Sequence, residues 1–158
     1  MREEKLAEVM ITRPVDNDDL SFIFSSWMRS FKQSYTVRPV PSKIYHDNQK
    51  QIIEYIIARS EIIIACNAED PAHIFGWACY EIEPIHTLHY VYVKQPYRSM
   101  GIASALLIQS YNAKRSASAP TQATHSTKGY TFLQTSFDMI YNPFYLLEIY
   151  ASAKINEN

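Results

Sequence analysis

The stretch from Val91 to Leu107 constrains this chain more than any other. It opens as Val91-Tyr92-Val93, an apolar, aromatic and β-branched run of strand character. It closes as Ile102 to Tyr111, rich in Ala and Leu and free of Gly and Pro, which is helix chemistry. The turn between them is short and basic, and its only glycine is Gly101. A strand that feeds a helix through such a turn leaves backbone N–H groups unpaired at the helix start. With the helix dipole, those groups make an anion site suited to phosphate.

The chain before this point predicts a two-helix, three-strand lead-in. Val9 to Thr12 is β-prone and ends at Arg13-Pro14. Asp16 suits a helix N-cap, and Leu20, Ile23, Phe24, Trp27, Met28 and Phe31 follow at helical spacing as one apolar stripe. The prolines between Thr36 and Pro41 break the pattern. Ser42 then suits the cap of a second helix, with Tyr45, Ile52, Ile53, Ile56 and Ile57 on its apolar side. The intervening loop, with Tyr35 and Arg38, lies where a substrate pocket could be shaped. Glu61 to Cys66 and Ile74 to Ile82 read as an antiparallel hairpin, and His86 to Val93 as a third strand of the same meander. Gly76, inside a strand, points to a bulge or a close backbone approach.

Beyond the central helix, expected to end near Arg115, Gln122 to Thr127 reads as a strand beside the third one. Tyr130 to Ile140 reads as a helix broken by Asn142-Pro143, and the segment Phe144 to Tyr150 is apolar without a clear period. The expected order is β-α-α-β-β-β-α-β-α within a single domain spanning residues 1–158.

Composition excludes several classes of function. The chain has 158 residues, 47% hydrophobic and 20% charged, with a net charge of −1. No basic stripe is present, so no nucleic-acid partner is expected. Cys66 and Cys79 lack Cys-x-x-Cys spacing, and His46, His73, His86, His89 and His125 show no ligand spacing on one element. Neither a metal site nor a disulfide scaffold is expected. No Gly-x-Ser-x-Gly elbow occurs. No apolar run reaches membrane-spanning length, and the charged start Met1-Arg2-Glu3-Glu4-Lys5 leads into no apolar core of a signal. A cytoplasmic location is expected, with no membrane partner. The apolar tail could pair with a second copy as a homodimer.

The motif and the element order together resemble the GCN5-related N-acetyltransferase (GNAT) superfamily. Its signature is Gln or Arg, two residues, Gly, one residue, then Gly or Ala, and Arg98-Ser99-Met100-Gly101-Ile102-Ala103 fits it. Val93, Pro96-Tyr97 and Leu106-Leu107 fit the surroundings. The resemblance implies an α+β fold, three-layer α/β/α, around a mixed and mostly antiparallel central sheet. It also implies acetyl-CoA (coenzyme A) as co-substrate. Its pyrophosphate would rest on Arg98, Ser99, Met100, Gly101, Ile102, Ala103 and Ser104, and its pantetheine arm would follow Val91, Tyr92 and Val93. Many members carry a second glycine where this chain has Ser99, which stiffens the turn.

Transfer of an acetyl group to a primary amine needs a base for the ammonium and a proton for the thiolate. The family often places the base four or six residues before the Val, which here means His89 or Thr87. Strict alternation would set Thr87, His89, Val91 and Val93 on one face. An imidazole, with an ordinary pKa of about 6.5, suits the base role, and His89 is the candidate. His86, Glu83 and Glu81 are further candidates. The family's acid is a tyrosine, for which Tyr130, Tyr141 and Tyr145 are available and Tyr141 is chosen. The family's usual Tyr segment followed by Gly-Phe is missing from this C-terminus, which motivates a second reading as a GNAT-like binding or assembly module. His89 to Lys94 is also similar to small GNAT-like phage proteins. A DNA-modifying relative is a third reading, against which the missing basic patch counts. The acceptor, a small molecule or a protein amine, carries no readable code.

Overall fold

The computed structural model describes residues 3–114, 121–125 and 138–157. Six strands form one sheet in the order β1 (Met10–Pro14), β2 (Glu61–Asn67), β3 (Asp70–Glu81), β4 (Thr87–Val93), β5 (Thr121–Ala123) and β6 (Met139–Tyr141). The first four are antiparallel neighbours, while β5 runs parallel to β4 and β6 parallel to β5. This is the mixed, mostly antiparallel sheet that the resemblance implies.

Helices cover both faces of the sheet, because both faces of β2 and β3 are apolar. Ile62, Ile64, Cys66, Trp77 and Cys79 face α2 (Leu20–Lys32), α3 (Ser42–Ile57) and, through Tyr145 and Ile149, α5 (Tyr145–Glu157). Ile63, Ala65, Ala78 and Tyr80 face α1 (Glu3–Val9) through Leu6, and α4 (Ile102–Asn112) through Ile102, Leu106 and Leu107. Two cores thus sandwich the sheet in three α/β/α layers. The stripe of α2 is where its spacing put it, with Ile23, Trp27 and Met28 buried and Leu20, Phe24 and Phe31 packed around them. Trp27 stacks on Tyr90 with ring centroids 5.2 Å apart. The loop after α2 is tied back by Lys32, whose Nζ donates to the carbonyls of Arg38 at 2.9 Å and Val40 at 2.8 Å.

Several sequence expectations give way to the structure. The strand expected from Val9 starts at Met10, because Val9 closes a short amphipathic helix whose Leu6 is buried. Ser42 is the first residue of α3, and the cap position falls on Pro41, whose extended backbone leads into the helix. The helix expected up to Ile140 cannot include Met139 and Ile140, which belong to β6; Tyr130 and the rest of its start lie outside the described residues. The segment after Asn142-Pro143 is helical, with Tyr145 and Ile149 one turn apart on its buried side.

Alternation along β4 also fails, and for a definite reason. Cys79 of β3 faces Tyr90, but the next residue, Tyr80, faces Leu88, so His89 is an extra residue in β4. This bulge inverts the phase of the strand. Tyr90 packs with α2 while Leu88 packs with α4, although they are two residues apart. Thr87, His89, Val91 and Val93 therefore do not share one face. A second bulge falls beside Gly76, because Ala65 faces Gly76 and Cys66 faces Ile74. The close approach expected at Gly76 is also present. A Cβ there would lie 2.5 Å from the Tyr92 carbonyl oxygen.

Candidate active site

The sheet opens at β4. Only Thr87 and Leu88 pair with β5, through Gln122 and Ala123, and Tyr90 to Val93 have no β5 partner among the described residues. Three side-chain bonds reinforce this short seam. His86 Nδ1 lies 3.1 Å from Thr121 Oγ1, Gln122 Nε2 donates to Thr87 Oγ1 at 2.9 Å, and His89 Nδ1 lies 2.8 Å from Thr124 Oγ1. Beyond the seam the strands part, and a cleft of about 730 Å³ follows the free edge of β4 out to the start of α4.

The outer end of the cleft is the predicted strand–turn–helix. After a single 3-10 turn at Gln95–Tyr97, Ser99 takes φ 64° and Gly101 φ 84°, both left-handed. Ser99, where the resemblance leads one to expect a glycine, is thus a non-glycine residue in the left-handed region, which favours glycine. Gly101 is the cap of α4 and offers no side-chain bond, so the first-turn amides of the helix are left for a ligand. Arg98 Nε donates to the Val93 carbonyl at 2.9 Å, which anchors the arginine at the strand end. Tyr97 is held from behind by His73, whose Nε2 lies 2.9 Å from the phenol oxygen. Of the ten residues expected to hold a coenzyme, Val91, Tyr92, Val93, Arg98, Ser99, Gly101, Ile102, Ala103 and Ser104 line the cleft. Met100 packs instead against the core on the α4 side of the sheet.

The inner end meets a buried polar chain. His89 is 1% exposed and does not line the cleft. Its Nε2 lies 2.6 Å from Glu81 Oε2, and Glu81 Oε1 accepts from Arg59 Nε at 2.8 Å. On the other side, Thr124 Oγ1 reaches His125 Nδ1 at 2.9 Å, and His125 Nε2 meets Gln49 Nε2 at 3.0 Å. Burial pulls the pKa of His89 below its ordinary value despite the Glu81 carboxylate. Burial, with repulsion from His89, pulls His125 down to about 3. Burial alone would raise Glu81, but its bonds to His89 and Arg59 hold it below the usual carboxylate range. Glu81 is thus ionised against Arg59, and both histidines are neutral.

Those charge states fix every proton in the chain. A carboxylate only accepts, so His89 Nε2–H donates to Glu81 and Nδ1 accepts from the Thr124 hydroxyl. Thr124 in turn accepts from His125 Nδ1–H, and His125 Nε2 accepts from the Gln49 amide. The sequence pointed to His89 and Glu81 separately. Arg59, Thr124, His125 and Gln49 join them only through the tertiary fold, although the position of His125 next to the strand paired with β4 was a usable signal.

The tyrosine candidates separate clearly. Tyr145 lies against His89, rings 6.3 Å apart at 16°, and its hydroxyl is 3.1 Å from Arg59 Nη2. Burial and the neighbouring Glu81 carboxylate push it up to about 12. Tyr141 is half-buried on β6, opposite Ala123. Glu83 is exposed at the strand entrance. His86 is buried on the other face, with Nε2 2.9 Å from the Ser110 carbonyl. Thr87 is buried at the seam and donates to the Ile85 carbonyl at 2.7 Å.

A meander that splays from a short parallel seam, with a helix N-terminus at the mouth of the split, is the architecture of the GNAT acyltransferases. Residues 20–121 match the model of the Acetyltransferase (GNAT) family, and the chain belongs to that family. Solved structures share the fold. A histone acetyltransferase HPA2-related acetyltransferase from Corynebacterium glutamicum superposes with TM-score 0.60 at 18% identity, over 81% of this chain and 83% of its own. A GCN5-related N-acetyltransferase from Rhodopseudomonas palustris gives 0.60 at 13%, over 81% and 80%. The PaiA N-acetyltransferase from Thermoplasma acidophilum, solved with coenzyme A, gives 0.57 at 13%, over 80% and 87%. A sequence search of curated proteins found no match.

Proposed function

We propose that this protein is an acetyl-CoA-dependent N-acyltransferase that moves an acetyl group directly to a primary amine. The observation that carries this reading is the splayed cleft with uncapped helix amides and two left-handed residues at its outer end. That cradle fits a pyrophosphate, which the amides of Gly101 to Ser104 and the Arg98 guanidinium would hold. Val91, Tyr92 and Val93 supply an open strand edge for an extended amide-bearing arm.

In the reaction the amine, in its neutral form, attacks the thioester carbonyl; a C–N bond forms, the C–S bond breaks, the nitrogen passes its extra proton to solvent water, and the departing thiolate is protonated in turn. His89 acts in this reading through Thr124, the first residue past β5, because its own Nδ1 accepts from that hydroxyl. It is therefore a positioning residue rather than a group in contact with substrate. Tyr141, which faces Ala123 at the last pair of the seam, is the proposed donor to the thiolate.

Calorimetry with acetyl-CoA on the wild type and on Gly101→Trp tests the coenzyme site. Binding that the substitution abolishes supports it, and no binding by the wild type sinks it. His89→Gln is expected to lower kcat and leave acetyl-CoA affinity unchanged; an unaltered kcat removes His89 from the mechanism. A GNAT-fold binding module without catalysis is the second reading, favoured by the seclusion of His89. Coenzyme binding without turnover of any amine is its signature.

A further inference from the structure

The inner end of the cleft carries a hydroxyl that the protein leaves unanswered. Ser34 lines the cleft at 7% exposure, and its Oγ has no hydrogen-bond partner among the described residues. Its backbone is already committed. The N–H donates to the Phe31 carbonyl at 2.9 Å, and the carbonyl accepts from Arg38 N–H at 2.9 Å. A buried hydroxyl without a partner opposes folding, and a ligand group that pairs with it relieves that penalty.

Its place along the cleft says which part of a ligand it would meet. Helix α2 runs beside β4 in the opposite sense. The Phe22 ring lies 6.1 Å from that of Tyr92, and Lys94 Nζ sits 4.9 Å over Phe22. Further along, Ser30 Oγ lies 2.7 Å from the Tyr90 hydroxyl, and Phe31 packs on His125 at 4.7 Å. Ser34 is one turn beyond Ser30. It therefore sits towards the seam, at the opposite end from the Arg98–Ser104 turn, where the reacting carbonyl and the acceptor would meet.

Charge narrows the acceptor. The described lining contains Arg98 and no Asp or Glu. Glu81, buried beside His89, is already bound to Arg59 and His89. An acceptor with a second cationic centre would meet no counter-charge, whereas Ser30, Gln33, Ser34 and Tyr90 offer neutral donors and acceptors. On the acyltransferase reading, we infer that the acceptor is a hydroxyl-bearing amine whose only cation is the reacting nitrogen, as in an amino sugar or amino alcohol. Ser34 Oγ is its specificity-determining hydrogen-bond partner.

Steady-state acetylation of glucosamine, ethanolamine, spermidine and a lysine-containing peptide tests this, on the wild type and on Ser34→Ala, with acetyl-CoA affinity measured alongside. The expected result is highest kcat/KM for a hydroxylated monoamine. Ser34→Ala should raise its KM roughly tenfold, the effect of one hydrogen bond, with acetyl-CoA affinity unchanged. The same variant should gain about 2–4 °C in Tm, because it removes an unpaired buried hydroxyl. Preference for spermidine or the peptide, an unchanged KM in Ser34→Ala, or failure to acetylate either hydroxylated amine while acetyl-CoA binds would each overturn the inference. Failure of the wild type to bind acetyl-CoA overturns the acyltransferase reading itself.

Discussion

His89 Nδ1 lies 2.8 Å from Thr124 Oγ1, so the bulged residue of β4 is fastened to the first residue past β5. The same hydroxyl also serves His125. Thr124→Val keeps the size of the side chain but leaves the His89 nitrogen without a donor and the His125 N–H without an acceptor. We expect a loss of about 2–6 kcal/mol in urea unfolding, since each of the two orphaned groups costs about 1–3 kcal/mol. A loss below the error of the measurement would show that the chain of bonds does not stabilise the fold.

Acid should unfold the protein early. Burial holds His86, His89 and His125 below their ordinary pKa, His125 at about 3. In the unfolded chain all three titrate near ~6.5, so below that pH the unfolded state binds more protons. Their contribution is complete above pH ~6.5 and declines as pH falls, by about 1.4 kcal/mol per pH unit for each histidine still neutral in the fold. Urea midpoints at pH 8, 6 and 5 check this. A midpoint that stays level across the series contradicts the neutral assignment.

Gly76→Ala should open the β3–β4 pair. The added Cβ would meet the Tyr92 carbonyl at 2.5 Å and the Val93 Cα at 3.2 Å, both backbone atoms that cannot rotate away. Overpacking of this kind costs about 1–3 kcal/mol, and because Tyr92 forms the cleft edge, acetyl-CoA affinity should fall with stability. A variant as stable as the wild type would show that the strands can separate there without penalty.

Arg98→Ala should weaken acetyl-CoA binding roughly tenfold at low ionic strength, the scale of a charge-assisted contact. The difference should shrink near 1 M salt, where the screening length falls to about 3 Å. Equal affinities at low salt would confine Arg98 to its bond with Val93.

What the sequence made legible was local. The stripe of α2 and the strand–turn–helix around Gly101 each depend on residues a few positions apart, and both stand where their patterns put them. The phase of β4 does not have that property. His89 is an extra residue only relative to Cys79 and Tyr80 on another strand, so alternation counted along β4 alone misplaces it. β6 spans only Met139–Tyr141, too short for a period, and exists because β5 offers it a parallel edge. The polar chain is the extreme case. Gln49, Arg59, Glu81, His89 and Thr124–His125 come from five separate parts of the chain, and only the closed sheet brings them into bonding distance.

The two register pairs between β4 and β5 leave little backbone to set the angle at which the sheet divides. That angle is held instead by three rivets of side chain, His86–Thr121, Thr87–Gln122 and His89–Thr124. The width of the cleft is thus a property of interchangeable side chains rather than of the ladder. Exchanges at Thr121, Gln122 or Thr124 could retune its gauge without altering a residue that lines it, and the Gln122 and Thr124 amides, which donate to His86 and Leu88, are the places where hydrogen exchange would register the change.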